Sequence, residues 1–204
     1  MSRVVTEIVN ITFTPGANVE ETIALLTSTL TQQEGFIRLK WGRWEEDADE
    51  VQMMINWADI SFHRKFEQSA EYPAFLARLD GILAAPPALI HVHFDEEMLN
   101  KILAGPVVEL ATFYGIAEGF EEAVEKTLAV GSESKGCLGY VRGDVVEEIA
   151  ASESQPKGRA HYAAIAWTSA QAHWDATKRP EVQESGLLTV EKVGGYEAHH
   201  VKFQ

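Results

Sequence analysis

The chain has one cysteine, Cys137, among its 204 residues. A lone thiol closes no internal disulfide, so stability must come from a packed core, and a reducing, cytoplasmic setting is expected. Positive charge is also scarce. Lys and Arg number 17 against 31 Asp and Glu, a formal net charge of −14. Phosphate backbones and anionic lipid surfaces would be repelled, so neither nucleic acid nor membrane is expected as a partner. No apolar run reaches membrane-spanning length, and the opening Met-Ser-Arg-Val-Val-Thr-Glu-Ile has no apolar core of signal-peptide length. Glycine-rich phosphate loops, the dinucleotide-binding glycine pattern and a serine-nucleophile elbow are all missing. What remains is an ordinary globular composition, 46% hydrophobic.

The chain reads as one unit written twice. Met53-Met54-Ile55-Asn56-Trp57 is followed by His63, and Ala163-Ala164-Ile165-Ala166-Trp167 by His173, each His six residues after the Trp. His91-Val92-His93-Phe94 is echoed by His200-Val201-Lys202-Phe203, Glu20-Glu21 by Glu121-Glu122, and Gly35 and Gly42 by Gly136 and Gly143. A repeat of roughly a hundred residues is a duplicated domain rather than a solenoid unit. Halves of 1–100 and 101–204 are therefore expected.

Within the first copy, Val4–Phe13 alternates like a strand. Asn18 can cap a helix carrying Ile23, Leu26 and Leu30, and Gly35 ends it. Phe36–Glu45 and Glu50–Trp57 read as a hairpin through Glu46-Asp47-Ala48-Asp49. A second helix is expected over about 61–83, kinked or interrupted at Pro73, and Leu89–Phe94 is the last strand. The second copy follows the same order, with a longer hairpin loop at 152–158 and residues 95–105 as the link. The order β-α-β-β-α-β is ferredoxin-like. Strand three is apolar on both faces, which calls for a second layer besides its helices. Two such sheets packed face to face would make one intramolecular α+β barrel.

With this order, the Lys40-Trp41-Gly42 strand and the run from Trp57 through Ser69, Tyr72 and Phe75, the chain resembles the dimeric α/β-barrel superfamily. The likeness is to its antibiotic-biosynthesis-monooxygenase and stress-responsive branches, here with two copies fused. The resemblance implies a ligand cavity between sheet and helices. It also implies cofactor-free oxygenation or cyclisation of an aromatic, polyketide-like substrate in secondary metabolism. The rival expectation is a non-catalytic stress-response or ligand-binding protein. The partner expected is a small hydrophobic or aromatic ligand, and homodimerisation is compatible with the family.

Three residues are candidates for proton transfer. His63 is an imidazole suited to acid–base work. Glu7 shares the strand face of Val5, Val9, Ile11 and Phe13, where burial would raise its pKa. Tyr72 stands where the cyclases of the superfamily place a helix-two His. Trp57, Phe66, Val9, Ile11 and Phe75 are expected to line the substrate. Counting along the repeat puts Val108 and Val182 opposite Glu7 and Tyr72, so chemistry is expected in the first copy alone, with His173 a packing relic. The heme-degrading branch places its axial His where this chain has Leu76 and Gly186, so heme is not expected. His91 and His93 share a face, but no acidic or Cys companion stands at ligand spacing to them or to His199-His200, so no metal is expected. Neither is any other cofactor. Cys137 is expected to be a buried structural thiol.

If the halves need each other's sheet, residues 1–100 expressed alone should dimerise or precipitate. A stable, well-folded monomer, seen by analytical ultracentrifugation, would sink the barrel expectation.

Overall fold

The computed structural model describes residues 3–204. The first unit, through His93 with Gln204, holds β1 (Val5–Thr12), α1 (Val19–Leu30), β2 (Phe36–Arg43), β3 (Glu50–Trp57), α2 (Ile60–Glu67), α3 (Tyr72–Leu76) and β4 (Ala88–Val92). The second, Phe94–Phe203, holds α4 (Glu96–Ile102), β5 (Val107–Tyr114), α5 (Phe120–Ser132), β6 (Cys137–Asp144), β7 (Ala160–Trp167), α6 (Ala170–Ala176), α7 (Pro180–Val190) and β8 (Gly195–Val201). Each unit contains one antiparallel four-stranded sheet, in the orders β2-β3-β1-β4 and β6-β7-β5-β8. The tandem ferredoxin-like α+β reading is what the chain adopts.

Register ties the copies together more tightly than spacing does. Val5 pairs with Trp57 and Glu7 with Ile55; Val107 pairs with Trp167 and Glu109 with Ile165. Both second strands carry a register shift in the same place, at Phe36/Arg38 and at Cys137/Gly139. The counterpart of Glu7 is therefore Glu109, and the expected pairing of Glu7 with Val108 is corrected by one residue. The pleat makes that single residue decisive, since neighbouring side chains point to opposite faces. Val5, Glu7, Val9 and Ile11 share one face of β1 with Trp57, Ile55, Met53 and Val51 of β3.

Two expectations about helices change. The long second helix is broken: α2 ends at Glu67 with Gln68 as its cap, and α3 restarts with Pro73 in its first turn, where a missing N–H costs nothing. A short 3₁₀ turn, Ala77–Leu79, follows. The segment read as a plain link forms α4, capped by Asp95, whose carboxylate accepts the Met98 N–H at 2.8 Å. Leu99 and Ile102 of that helix are buried.

The repeated glycines have a local reason. Gly35 and Gly136 follow α1 and α5 with φ of +79° and +92°. A Cβ on Gly35 would run into the ring of Phe62, and one on Gly136 would stand 2.7 Å from the Ala172 methyl. The left-handed turn brings the chain against the helix that carries the repeated His. Gly35→Ala and Gly136→Ala should each lower unfolding free energy by about 2 kcal/mol or more, combining strain and overlap. Urea denaturation checks this, and an unchanged midpoint in either variant would contradict it.

Candidate active site

On the helix-facing side of each sheet stands the same four-residue chain. In the first unit the Trp57 indole Nε1–H donates to Glu7 Oε2 at 2.8 Å. His63 Nε2 lies 3.4 Å from Glu7 Oε1, and His63 Nδ1 lies 2.8 Å from His91 Nε2. In the second unit Trp167 Nε1–H donates to Glu109 Oε2 at 2.9 Å, His173 Nε2 is 3.4 Å from that same oxygen, and His173 Nδ1 is 2.8 Å from His200 Nε2. The sheet positions three of the four residues. Glu7 is paired in register with His91, and Glu109 with His200, so carboxyl and imidazole project side by side. The helix after the Trp brings the remaining His over the indole, ring centroids 5.3 Å apart in both copies.

Glu7 and His63 therefore lie beside one another. Tyr72 joins their surroundings without a hydrogen bond to either: its ring packs edge-on against Phe66 at 5.2 Å and stacks on Phe75 at 6.0 Å. The residues missed by sequence reasoning are His91, Glu109 and His200. The shared Val-x-Glu of Val5-Thr6-Glu7 and Val107-Val108-Glu109 was the signal that would have found Glu109.

The two copies differ in the room around the chain. In the first, Val9, Ile11, Trp57 and Phe66 are buried in one cluster, with Tyr72 and Phe75 packed against it. In the second, a cavity of about 920 Å³ is lined by Glu109, Trp167, His173 and His200 together with apolar side chains from the sheet, α5, α6 and α7. Counted from the repeated Trp, Phe66 is replaced by Ala176, Tyr72 by Val182, Leu76 by Gly186 and Leu79 by Thr189; counted from the repeated Glu pair, Leu26 is replaced by Thr127 and Leu30 by Gly131. Every one of those smaller residues lines the cavity. Where the first copy is filled by rings, the second is hollow. Exposure follows: His63 and Glu7 side chains are 2% and 7% exposed, His173 and Glu109 12% and 13%. The expectation of a working pocket in the first copy alone left out this second-unit cavity.

Burial dominates the electrostatics. It pushes the Glu7 carboxyl from 4.5 up to about 7, against the opposing pull of the Trp57 N–H and of His91. Glu109 is raised for the same reason, again opposed by its indole donor and by His200. Burial likewise raises Tyr72, with Glu67 and Glu7 adding repulsion. It also pushes the Cys137 thiol up, away from nucleophilic use.

An acidic companion does stand beside His91 and His200, contrary to the spacing argument. Still, each chain is a relay rather than a chelate. His63 and His173 turn one nitrogen to the carboxyl and the other to the second imidazole, whereas a chelated cation needs one nitrogen per ring aimed at a common point. Among the described residues, Glu121, Asp144 and His161 do bring ligand atoms within 4.8 Å of one another. That cluster already holds a cation: Arg142 Nη1 is 2.8 Å from Glu121 Oε2 and 3.3 Å from His161 Nε2.

Residues 4–78 match the family described as antibiotic biosynthesis monooxygenase. Across the whole chain the fold is shared with three solved structures. A protein described as anthrone oxidase-like has a TM-score of 0.70 and 15% identity, over 100% of this chain and 92% of its own. A provisionally assigned monooxygenase from Lactobacillus acidophilus NCFM gives 0.60 and 12%, over 99% and 94%. Another from Fusobacterium nucleatum subsp. nucleatum gives 0.62 and 8%, over 99% and 93%. At these identities the likeness is one of fold. No curated protein matches the sequence. Among the described residues no helix is long and apolar enough to cross a membrane.

The raised Glu7 value has a measurable consequence. The folded state holds this proton more tightly than the unfolded chain, so the stabilisation is complete below pH 4.5 and lost as pH rises through about 7. The loss across that window is about 3 kcal/mol. Glu7→Gln should flatten the fall in stability between pH 5 and 8 relative to the parent in denaturant titrations. Parallel curves for the two proteins would refute the assignment.

Proposed function

We propose that the chain is a cofactor-independent monooxygenase acting on an aromatic, polyketide-like substrate held in the second-half cavity, with Glu109 as the general base. The observation that carries this reading is the asymmetry of the Glu109 carboxyl. Its Oε2 is held by both Trp167 and His173, while Oε1 accepts no hydrogen bond from any described residue and the side chain lines the cavity. In the first unit, by contrast, Trp57 and His63 take one oxygen each. A fixed carboxylate of raised pKa with one unpaired oxygen is suited to removing a proton near neutral pH.

Chemically, the substrate is an aromatic molecule with an activated methylene between rings. Glu109 Oε1 takes one methylene proton, and the His173–His200 pair offsets the charge that moves through the site. The resulting carbanion reduces dioxygen, forming a C–O bond. Loss of water from the hydroperoxide leaves the ketone, so that R2CH2 and O2 give R2CO and H2O. The carbanion itself supplies the electrons, which is why no flavin or metal enters the scheme. The first-half chain of Glu7, His63 and His91, with Tyr72 above it, is the packed counterpart, and any proton it exchanges is internal. A cytoplasmic setting and a small aromatic ligand belong to the same reading.

Oxygen uptake with 1,8-dihydroxy-9-anthrone tests it. Glu109→Gln and His173→Ala should each lower turnover about 100-fold, the scale of losing a general base or its support, while Glu7→Gln leaves turnover within about threefold. Undiminished turnover in Glu109→Gln, or no enzymatic uptake above the spontaneous rate in the parent protein, would refute the proposal. The second outcome would leave a binding protein.

A further inference from the structure

Resting on the reading of the second-half cavity as a ligand site, we infer that Thr189, oriented by Thr127, is a specificity point that accepts a hydrogen bond from a hydroxyl group of the bound molecule. It stands on the α5–α7 wall, whereas the Glu109 relay belongs to the sheet and α6. The pattern of substitution is the first ground. Thr127 and Thr189 occupy the places of Leu26 and Leu79 of the first copy, and both line the cavity. Gly131, Ala176, Val182 and Gly186 make room there without adding polarity. Room alone does not call for a hydroxyl, because valine has the shape of threonine and no polar atom to bury. Outside the relay, and among the described residues, Thr189 is the one polar residue lining the cavity that is itself buried, at 2% exposure.

The count of protons is the second ground. Thr127 Oγ1 lies 2.7 Å from Ser185 O, 2.8 Å from Thr189 Oγ1 and 3.1 Å from Ala123 O. A hydroxyl has one proton to donate and two lone pairs. Neither carbonyl can donate, so Thr127 gives its proton to Ser185 O, the shortest of the three contacts, and Thr189 in turn donates to Thr127. This arrangement uses both protons. The bond from Thr127 to Ser185 O already joins α5 to α7, and it does not need the Thr189 hydroxyl. What Thr189 adds is a pair of lone pairs on the cavity wall that receive no hydrogen bond from any described residue. A ligand O–H can complete them, and a methyl group in the same place cannot. The other hydroxyls of the lining stand at helix ends: Ser132 donates to Ala129 O at 2.7 Å and Thr177 to Trp174 O at 3.0 Å, and neither residue is buried.

Equilibrium dialysis with two isosteric pairs tests this: 1-naphthol against 1-methylnaphthalene, and 2-naphthol against 2-methylnaphthalene. Within each pair only a hydroxyl is exchanged for a methyl. The ratio of the two dissociation constants is the readout, measured in the parent and in Thr189→Val and Thr189→Ser. In the parent at least one naphthol should bind no more weakly than its methyl partner. Thr189→Val should shift that ratio about tenfold against the naphthol, the scale of leaving a buried hydroxyl unpaired, while the methyl probe binds as before. Thr189→Ser, which keeps the oxygen, should hold the ratio near that of the parent. Thr189→Ala gives the same reading if the valine variant fails to fold. An unchanged ratio in the hydroxyl-free variant, or an equal loss for both members of a pair, would overturn the inference and leave Thr189 a helix-packing residue. In either case the cavity would stand as a ligand site. Absence of binding by all four probes in the parent would remove that site and the inference together.

Discussion

An ionisable carboxyl on the packed face of a sheet survives only if something holds it there, and in both halves that is a tryptophan indole. The N–H of Trp57 or Trp167 gives Glu7 or Glu109 a donor that needs no water and carries no charge. It offsets part of the desolvation that raises both carboxyls. The His on the following helix then stacks over the indole and turns one nitrogen to the carboxyl, and the last strand supplies the second imidazole. The left-handed glycine at the end of α1 or α5 lets that helix approach. Remove the indole and the carboxyl faces an apolar wall. The rest of the constellation has then nothing to orient on.

Duplication has let the same relay exist in two solvents. In the first half it is enclosed by Phe66, Tyr72 and Phe75. In the second it borders a cavity produced by Ala176, Val182, Gly186, Thr189, Thr127 and Gly131. The family pattern is matched over residues 4–78, in the half that kept its large core residues.

Much of the fold was legible because it rests on periodicities that need no partner. The alternation of Val4–Phe13, the helix spacing of Ile23, Leu26 and Leu30, and the Trp–His interval all survived translation into structure. The helix break before α3 was half legible, because Pro73 signals trouble but does not say on which side. Placement was legible where strand parity decided it: Glu7 shares the face of Val5 and Val9. It was illegible where long-range pairing decided it. His91 and His200 reach their partners through the β1–β4 and β5–β8 registers, across more than eighty residues of chain. Glu109 was lost to a one-residue offset, and emptiness leaves no residue of its own to read.

Gly131 and Gly186 show how that emptiness is maintained. Both sit in helices, both line the cavity, and a Cβ built on either would meet nothing within 4 Å. Glycine in a helix is less favourable than alanine by about 1 kcal/mol, and here neither a turn nor a close approach calls for it. Such positions behave as adjustable stops. Any side chain placed there would shorten the cavity while strengthening the helix, so the chain can drift from one ligand size to another without passing through an unfolded intermediate. The lineage of such a protein should diversify at these two helix positions first, and at the buried indole last.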